Sequence, residues 1–353
     1  MQYTLVCLSC NERYGKEYDS QICKKCHGIL EVIYTYNSDL VSLEAKSFWD
    51  YEHFLPDCNE YRKYDVGVTR LLKSDDQSKL FLKLELQNPT KSFKDRGSVI
   101  EIAKAKEYDY KNVVCASTGN MAYSIAYYAK LYEIKTTVYI SDNAAKDKIR
   151  NILETGNAKI INVDGDFTKA QKLAEKHSIK KNYFLAGDYC YRKEGQKTIV
   201  YEIMEQLKNI RNIIVPIGNA TLFSGMIKSL YEIKQSYPKM RVPKLIGVQA
   251  SSCSPLYDAV KSGGTLRYKE PKTAADAIAV GFPTFGNQVL KYMKEIESTV
   301  ITVTDAEMKN EQKAFYKNYG IIAELAGAAS IAAYKKLGLE NEETVAVITG
   351  GNV

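Results

Sequence analysis

The chain has 353 residues, 45% of them hydrophobic and 26% charged, with a formal net charge of +7. That length exceeds one ordinary core and suits two domains plus a small module in a globular, non-fibrous protein. No apolar run approaches the ~20 residues that span a bilayer, no basic and then apolar leader opens the chain, and the charge is not gathered into a nucleic-acid-binding tail, so a cytoplasmic location is the default expectation.

The first segment carries Cys7-Leu8-Ser9-Cys10 and, after an intervening dozen residues, Cys23-Lys24-Lys25-Cys26. Two Cys-x-x-Cys knuckles at this separation predict a tetrahedral zinc ribbon over residues 1–35, with Cys7, Cys10, Cys23 and Cys26 as ligands. Four thiolates close such a site and leave no open position for a reacting molecule. Disulfides are the competing reading, and the absence of a secretory leader weighs against them. The other cysteines, Cys58, Cys115, Cys190 and Cys253, are scattered and read as reduced thiols; Cys115 lies in an apolar run and reads as a buried small hydrophobe. His27, His53 and His177 are the only histidines. Each sits in polar or lysine-rich sequence and reads as a surface residue, which points the chemistry away from imidazole.

Beyond residue 35, short Val/Ile-rich runs alternate with longer amphipathic segments. Strands are predicted at Leu80–Leu84, Val113–Ala116, Thr137–Ile140, Lys159–Val163, Ile213–Ile217, Leu245–Gln249, Thr299–Val303 and Val345–Ile348. Met121–Tyr132, Lys193–Leu207 and Ala323–Leu337 have helical length and apolar spacings of three and four. This alternation predicts α/β architecture with mostly parallel sheets covered by helices. Ligands of such sheets gather at the carboxyl ends of strands, and four loops there carry the right chemistry.

Asn88-Pro89-Thr90-Lys91-Ser92-Phe93-Lys94 follows the first of these strands. Asn-Pro marks a turn, Thr90 or Ser92 can cap a following helix, and Lys94 then falls in its first turn. The positive helix end disfavours a protonated amine there, which is what imine formation with an aldehyde needs; a solvated lysine is the plain alternative. Ala116-Ser117-Thr118-Gly119-Asn120 ends the next strand and suits a carboxylate at a helix start, or is a simple cap. Gly218-Asn219-Ala220-Thr221-Leu222 is a small-residue turn that can nest a phosphate, or merely pack. Thr349, before Gly350-Gly351-Asn352, offers a hydroxyl to a ring nitrogen, or belongs to a frayed terminus.

Together these loops resemble the fold-type II (tryptophan synthase β-like) pyridoxal-phosphate family, and within it threonine synthases with an N-terminal zinc ribbon. Residues 88–97 match the family's Asn-Pro-Thr-Gly-Ser-Phe-Lys-Asp-Arg-Gly except at Lys91, and 116–120 match Ala-Ser-Thr-Gly-Asn. Gly218-Asn219-Ala220, Thr349-Gly350, Arg192 with Glu194-Gly195-Gln196-Lys197-Thr198, Gly247-Val248-Gln249-Ala250 and Glu324 with 326–330 follow in the family's order, over nearly the whole chain. The resemblance implies two αβα domains beside the ribbon: a large cofactor-binding one over 36–100 and 190–353, and a small one over 101–189. It implies that Lys94 bonds the cofactor covalently and shuttles protons. Asn120 is then expected at the ring hydroxyl, Gly218, Asn219, Ala220, Thr221 and Leu222 at the cofactor phosphate, Thr349 at the pyridine nitrogen, and Ser117, Thr118 and Arg192 at the substrate. A homodimer is compatible with the family.

The departures bear on the substrate. Met121 stands where threonine synthases usually have Thr, and Ala186-Gly187 where they usually have Asn-Ser. Those polar groups are expected to bind the phosphate of O-phosphohomoserine; Arg192, retained, can clamp phosphate, carboxylate or sulfonate. The leading reading is a threonine synthase making L-threonine and phosphate. The alternative is another elimination or replacement enzyme of this fold: a serine or threonine dehydratase, or a cysteate- or diaminopropionate-type synthase. A third reading, from a different class, is a ribbon that binds nucleic acid through Lys24 and Lys25; only Tyr14 and Tyr18 offer stacking there, so little supports it. No membrane association is expected.

Overall fold

The computed structural model describes residues 3–35, 45–58, 64, 66–75, 79–117, 119–141, 146–165 and 167–352. Its strands in chain order are β1 (Tyr3–Cys7), β2 (Arg13–Tyr14), β3 (Leu30–Tyr34), β4 (Leu71–Lys73), β5 (Leu80–Leu84), β6 (Asn112–Ala116), β7 (Lys135–Ser141), β8 (Ala158–Val163), β9 (Phe184–Leu185), β10 (Asn212–Pro216), β11 (Lys244–Ala250), β12 (Ser298–Val303) and β13 (Thr344–Ile348). The α-helices are α1 (Lys94–Glu107), α2 (Asn120–Leu131), α3 (Lys146–Glu154), α4 (Phe167–Lys181), α5 (Cys190–Gln196), α6 (Thr198–Gln206), α7 (Thr221–Ser236), α8 (Pro255–Lys261), α9 (Gly286–Tyr292), α10 (Asp305–Tyr319) and α11 (Leu325–Leu337). Among the described residues no helix is long and apolar enough to cross a membrane.

Two units emerge. The first takes the described residues of Met1–Asn37, Lys46–Val66 and Lys94–Gly195; the second takes those of Ser38–Ala45, Gly67–Phe93 and Gln196–Val353. The borders therefore fall at Phe93/Lys94 and Gly195/Gln196, short of the expected 100/101 and beyond the expected 189/190, and the ribbon falls with the first unit. Packing explains the shift. A Cβ on Gly195 of α5 would lie 1.8 Å from the Arg96 carbonyl oxygen in the first turn of α1, so the two backbones touch where only glycine fits, and both segments stay in one unit.

In the first unit, β1 pairs antiparallel with β2 and β3 to form the ribbon's sheet, in the order β2-β1-β3. A second, all-parallel sheet runs β8-β7-β6-β9. Val114 and Ala116 of β6 pack with Val163 of β8 and with Ala170 and Ala174 of α4, the apolar seam that seats that helix on the sheet. In the second unit, six strands run β12-β11-β10-β13-β5-β4, parallel except for β4 at the edge. Central β10 and β13 are buried along their full length, as strands covered on both faces must be. Helix α11 presents Ala326, Ala329, Ala332 and Ala333 to this core; short side chains let it lie close to the sheet.

All eight predicted strands exist. The expected helix over 193–207 is two helices, α5 and α6. Lys197 lies between them, and its carbonyl accepts the Ser229 hydroxyl at 2.7 Å and the Val200 amide at 3.2 Å, which diverts it from the regular helical ladder. Strands β4 and β9 span three and two residues, too short for a period-two pattern to register.

The loop after β5 explains one departure from the family. Lys91 has φ +58°, the left-handed region where glycine, the family's residue, is unstrained. Its amide bonds Asn88 O at 2.8 Å and its carbonyl accepts from Gly351 N at 2.9 Å, so the turn is pinned on both sides. Lys91→Gly is expected to stabilise the protein by about 0.5–1 kcal/mol, the relief of left-handed strain less the added freedom of the unfolded chain. Urea titration of both proteins checks this; a lower midpoint for the variant would show that the lysine side chain contributes more than its backbone strain removes.

Candidate active site

In the second unit, three of the four loops converge because their strands are neighbours. β10, β13 and β5 lie side by side and parallel, so their carboxyl-end loops, 217–222, 349–352 and 85–93, share one edge of the sheet. Backbone bonds knit two of them. Phe93 N donates to Thr349 O at 3.0 Å, Gly351 N donates to Lys91 O, and Asn352 Nδ2 donates to Thr90 O at 2.7 Å. Asn88 fixes the start of the turn: its Oδ1 accepts from Gly67 N at 2.9 Å and its Nδ2 donates to Glu85 O at 2.7 Å. The Ser92 hydroxyl, a candidate helix cap, is buried without a hydrogen-bond partner among the described residues, an open polar group two positions before Lys94.

Gly218 and Asn219 bend the chain from β10 into α7. Asn219 O accepts from Phe285 N at 3.1 Å and its Oδ1 from the Thr284 hydroxyl at 3.3 Å. Ala220 is the N-cap of α7 in left-handed conformation, φ +63° and ψ +8°, and supplies no side-chain cap. Thr221 and Leu222 thus open a four-turn helix whose N-cap residue supplies no side-chain hydrogen bond, a helix start of the kind that takes an anionic phosphate. Thr349 is buried. The cofactor loops therefore fit a phosphate-bearing ring: backbone donors at one strand end, a hydroxyl residue at the next, and the open Ser92 hydroxyl between the loop and Lys94.

The first unit carries the other expected residues. Lys94 is the first residue of α1, as the helix-start reading requires, and is half-buried. Asn120 is the first residue of α2. Ser117, at the end of β6, accepts the amides of Gly119 and Ala122 on its hydroxyl, both at 3.3 Å; it shapes the start of α2. Thr118 lies outside the described residues.

Arg192 is fully buried, and each of its three guanidinium nitrogens donates a hydrogen bond. Its Nε donates to Gly187 O at 2.8 Å, Nη1 to Lys94 O at 3.2 Å, and Nη2 to the Ser98 hydroxyl at 3.1 Å and to Glu101 Oε2. Glu101, also fully buried, accepts on its other oxygen from Gly187 N at 2.9 Å and Gln21 Nε2 at 3.3 Å. Burial pushes the Glu101 carboxyl above its ordinary value, against the pull of Arg192, the Gly187 amide and Gln21. The guanidinium expected at the substrate is here turned toward a carboxylate of its own chain and toward the backbone of Lys94. Glu101 carried no motif in the sequence; a glutamate in the apolar middle of α1 was the available signal. Nearby, a Cβ on Gly187 would lie 3.8 Å from the Met121 methyl, so the two departures from the family are apolar neighbours. The Cys115 thiol, in β6, is pushed up to about 12 by burial and is chemically quiet.

The four ribbon cysteines lie together, all sulfurs within 4.8 Å of one another. Cys7–Cys26, Cys10–Cys26 and Cys10–Cys23 are separated by 3.4, 3.4 and 3.7 Å, close to the ~3.8 Å edge of a tetrahedron with zinc–sulfur bonds of about 2.3 Å. The two knuckles repeat each other: Asn11 N bonds Cys7 O and His27 N bonds Cys23 O, while Cys7 N bonds Glu12 O and Cys23 N bonds Gly28 O. This donor set fits a closed structural zinc site.

Comparison with known proteins agrees with the loops. Residues 63–350 match the family of pyridoxal-phosphate dependent enzymes. The curated threonine synthase of Methanosarcina acetivorans is 36% identical, over 99% of this chain and 92% of that protein; that of Methanocaldococcus jannaschii is 32% identical, over 98% and 91%. The solved structure of maize serine racemase superposes with a TM-score of 0.71 at 26% identity, covering 82% of this chain and 89% of that one. By its matched residues, its full-length relatives and its parallel sheets, the chain belongs to the fold-type II pyridoxal-phosphate-dependent enzymes, in the branch that holds the threonine synthases.

Proposed function

We propose that this chain is a threonine-synthase-type lyase that converts O-phospho-L-homoserine and water to L-threonine and phosphate. The observation that carries this reading is the full-length relationship to curated threonine synthases, on a chain whose strand-end loops hold the motif residues in the family's order. Pyridoxal phosphate, when bound, supplies an electron sink for charge developing on the amino acid's carbons. Lys94, at the start of α1, carries that group on its ε-amine and moves protons to and from the substrate carbons. Amides of 218–222 hold the cofactor phosphate at the start of α7. Thr349 meets the pyridine nitrogen with a hydroxyl, which does not compel protonation there; this moderates the sink and favours elimination and replacement over transamination. Asn120 bonds the ring hydroxyl. Ser117 and Thr118 receive the substrate carboxylate at the start of α2. Zinc in Cys7, Cys10, Cys23 and Cys26 is structural: four thiolates leave no open position for a reacting molecule. The enzyme acts on a small-molecule amino acid in the cytoplasm, and a homodimer is compatible with the family.

One observation favours a second reading. Arg192 is paired with Glu101, and Met121 faces Gly187, so the anion site expected for a substrate phosphate is internally neutralised on this side. A substrate whose leaving group is an uncharged hydroxyl, serine or threonine, suits that arrangement better, with a keto acid and ammonia as products.

Two measurements separate these readings. Holoenzyme given O-phospho-L-homoserine is expected to release phosphate and threonine in equal amounts; 2-oxobutanoate or pyruvate from threonine or serine, with no phosphate release, would instead select the dehydratase. For the shared chemistry, borohydride reduction and digestion are expected to place a pyridoxyl mass on Lys94, and Lys94→Ala is expected to lose both the label and about 10³-fold in turnover. A label on any other lysine would overturn the assignment.

A further inference from the structure

Ribbon side chains reach one short stretch of the first unit's body, residues 185–194. Gln21 Oε1 accepts from Tyr191 N at 3.0 Å, and its Nε2 donates to Leu185 O at 2.9 Å and Glu101 Oε1 at 3.3 Å. Glu31 pairs with Lys193, and the Tyr34 hydroxyl donates to Glu194 Oε2 at 2.8 Å. The Tyr3 and Tyr191 hydroxyls lie 3.4 Å apart. Gln21, Glu31, Lys193, Glu194, Glu101 and Arg192 are all buried, so none of these bonds is exchanged cheaply for water. In the midst of the held residues stands Arg192, whose Nη1 holds the carbonyl of Lys94, and the Gly195–Arg96 approach leaves α5 no slack against α1.

We propose that the four-cysteine ribbon is a positioning device for Lys94: by gripping α5 and Glu101 through Gln21, Glu31 and Tyr34, it fixes Arg192 and with it the backbone of the cofactor-bearing lysine. Gln21 is the positioning residue at its centre, because it alone of the ribbon's side chains bonds both α5 and the carboxylate that Arg192 pairs with. It stands two positions before Cys23, so a metal closing the cysteines fixes the turn that carries it. The proposal rests on Lys94 being the cofactor lysine.

The test uses full-length holoenzyme. Gln21→Glu keeps the shape but sets a second carboxylate against Glu101. It is expected to lower kcat about tenfold or more, with little change in KM, to shift the visible absorbance of the bound cofactor and its pH dependence, and to reduce the borohydride label on Lys94. Combining it with Glu101→Gln, which restores one carboxylate and one amide, is expected to recover part of the loss. Tyr34→Phe, a smaller change, is expected to act in the same direction if Gln21→Glu does not fold. Removing the metal with a chelator is expected to lower the Lys94 label while circular dichroism still reports folded body helices, and adding zinc alone is expected to restore it. Lys335→Ala, on the far surface of α11, serves as a neutral control. Unaltered kcat, spectrum and label in the folded Gln21 or Tyr34 variant, and in metal-free protein, would sink the brace while leaving the Lys94 assignment intact. An unlabelled Lys94 in the unaltered enzyme overturns that assignment and the brace with it.

Discussion

The buried pair of Arg192 and Glu101 is the constraint around which the first unit is arranged. A guanidinium and a carboxyl group sit paired at zero exposure, where removing one partner of such a pair typically costs about 3–5 kcal/mol because the other is left uncompensated. Such a pair persists when every remaining donor and acceptor is also engaged. Here the guanidinium reaches Gly187, Lys94 and Ser98 as well as Glu101, and the carboxylate takes Gly187 and Gln21. The pair thereby ties the start of α1, the loop after β9, helix α5 and the ribbon to a common point. Buried polar networks of this kind contribute uniqueness of arrangement more than net stability, which is what a reactive amine at a helix start requires.

The second unit is arranged differently, with backbone groups rather than a buried ion pair at its strand ends. Neighbouring parallel strands deliver their carboxyl ends to one edge, and the loops there are stitched by two main-chain bonds and by the Asn352 side-chain amide on Thr90 O. Lys94 follows Phe93, whose amide is held by Thr349, and its own carbonyl is held by Arg192. Lys94 is thus flanked by bonds to the backbone on both sides.

Much of this was legible in the sequence because it lives in local patterns. Parallel buried strands give continuous Val/Ile runs, so all eight were found, and the position of Lys94 followed from a turn and a helix start. Four cysteines in two knuckles announced their cluster by spacing alone. What stayed hidden depends on partners distant in the chain. Nothing in residues 185–194 announces that Gln21, Glu31 and Tyr34 will bind them, and Arg192 reads as an anion clamp until Glu101 is seen beside it. The unit borders escaped for the same reason: Gly97 and Gly195 look like ordinary helix glycines, and only the packed backbones reveal why α1 and α5 stay together.

The departures from the family then acquire a physical order. Lys91 leaves the backbone unchanged and adds only strain and a charge, since it keeps the left-handed turn that glycine would adopt. Met121 and Gly187, both buried, replace polar groups with a methyl facing bare backbone. Glu101 is a separate feature: its buried carboxylate accepts from Gly187 N and from Arg192 Nη2. An arginine free to meet a phosphate needs a neutral neighbour; one held by Glu101 offers a substrate anion a guanidinium already compensated. What Arg192 can offer an anion is therefore set in part by a residue within α1 that carries no motif of its own.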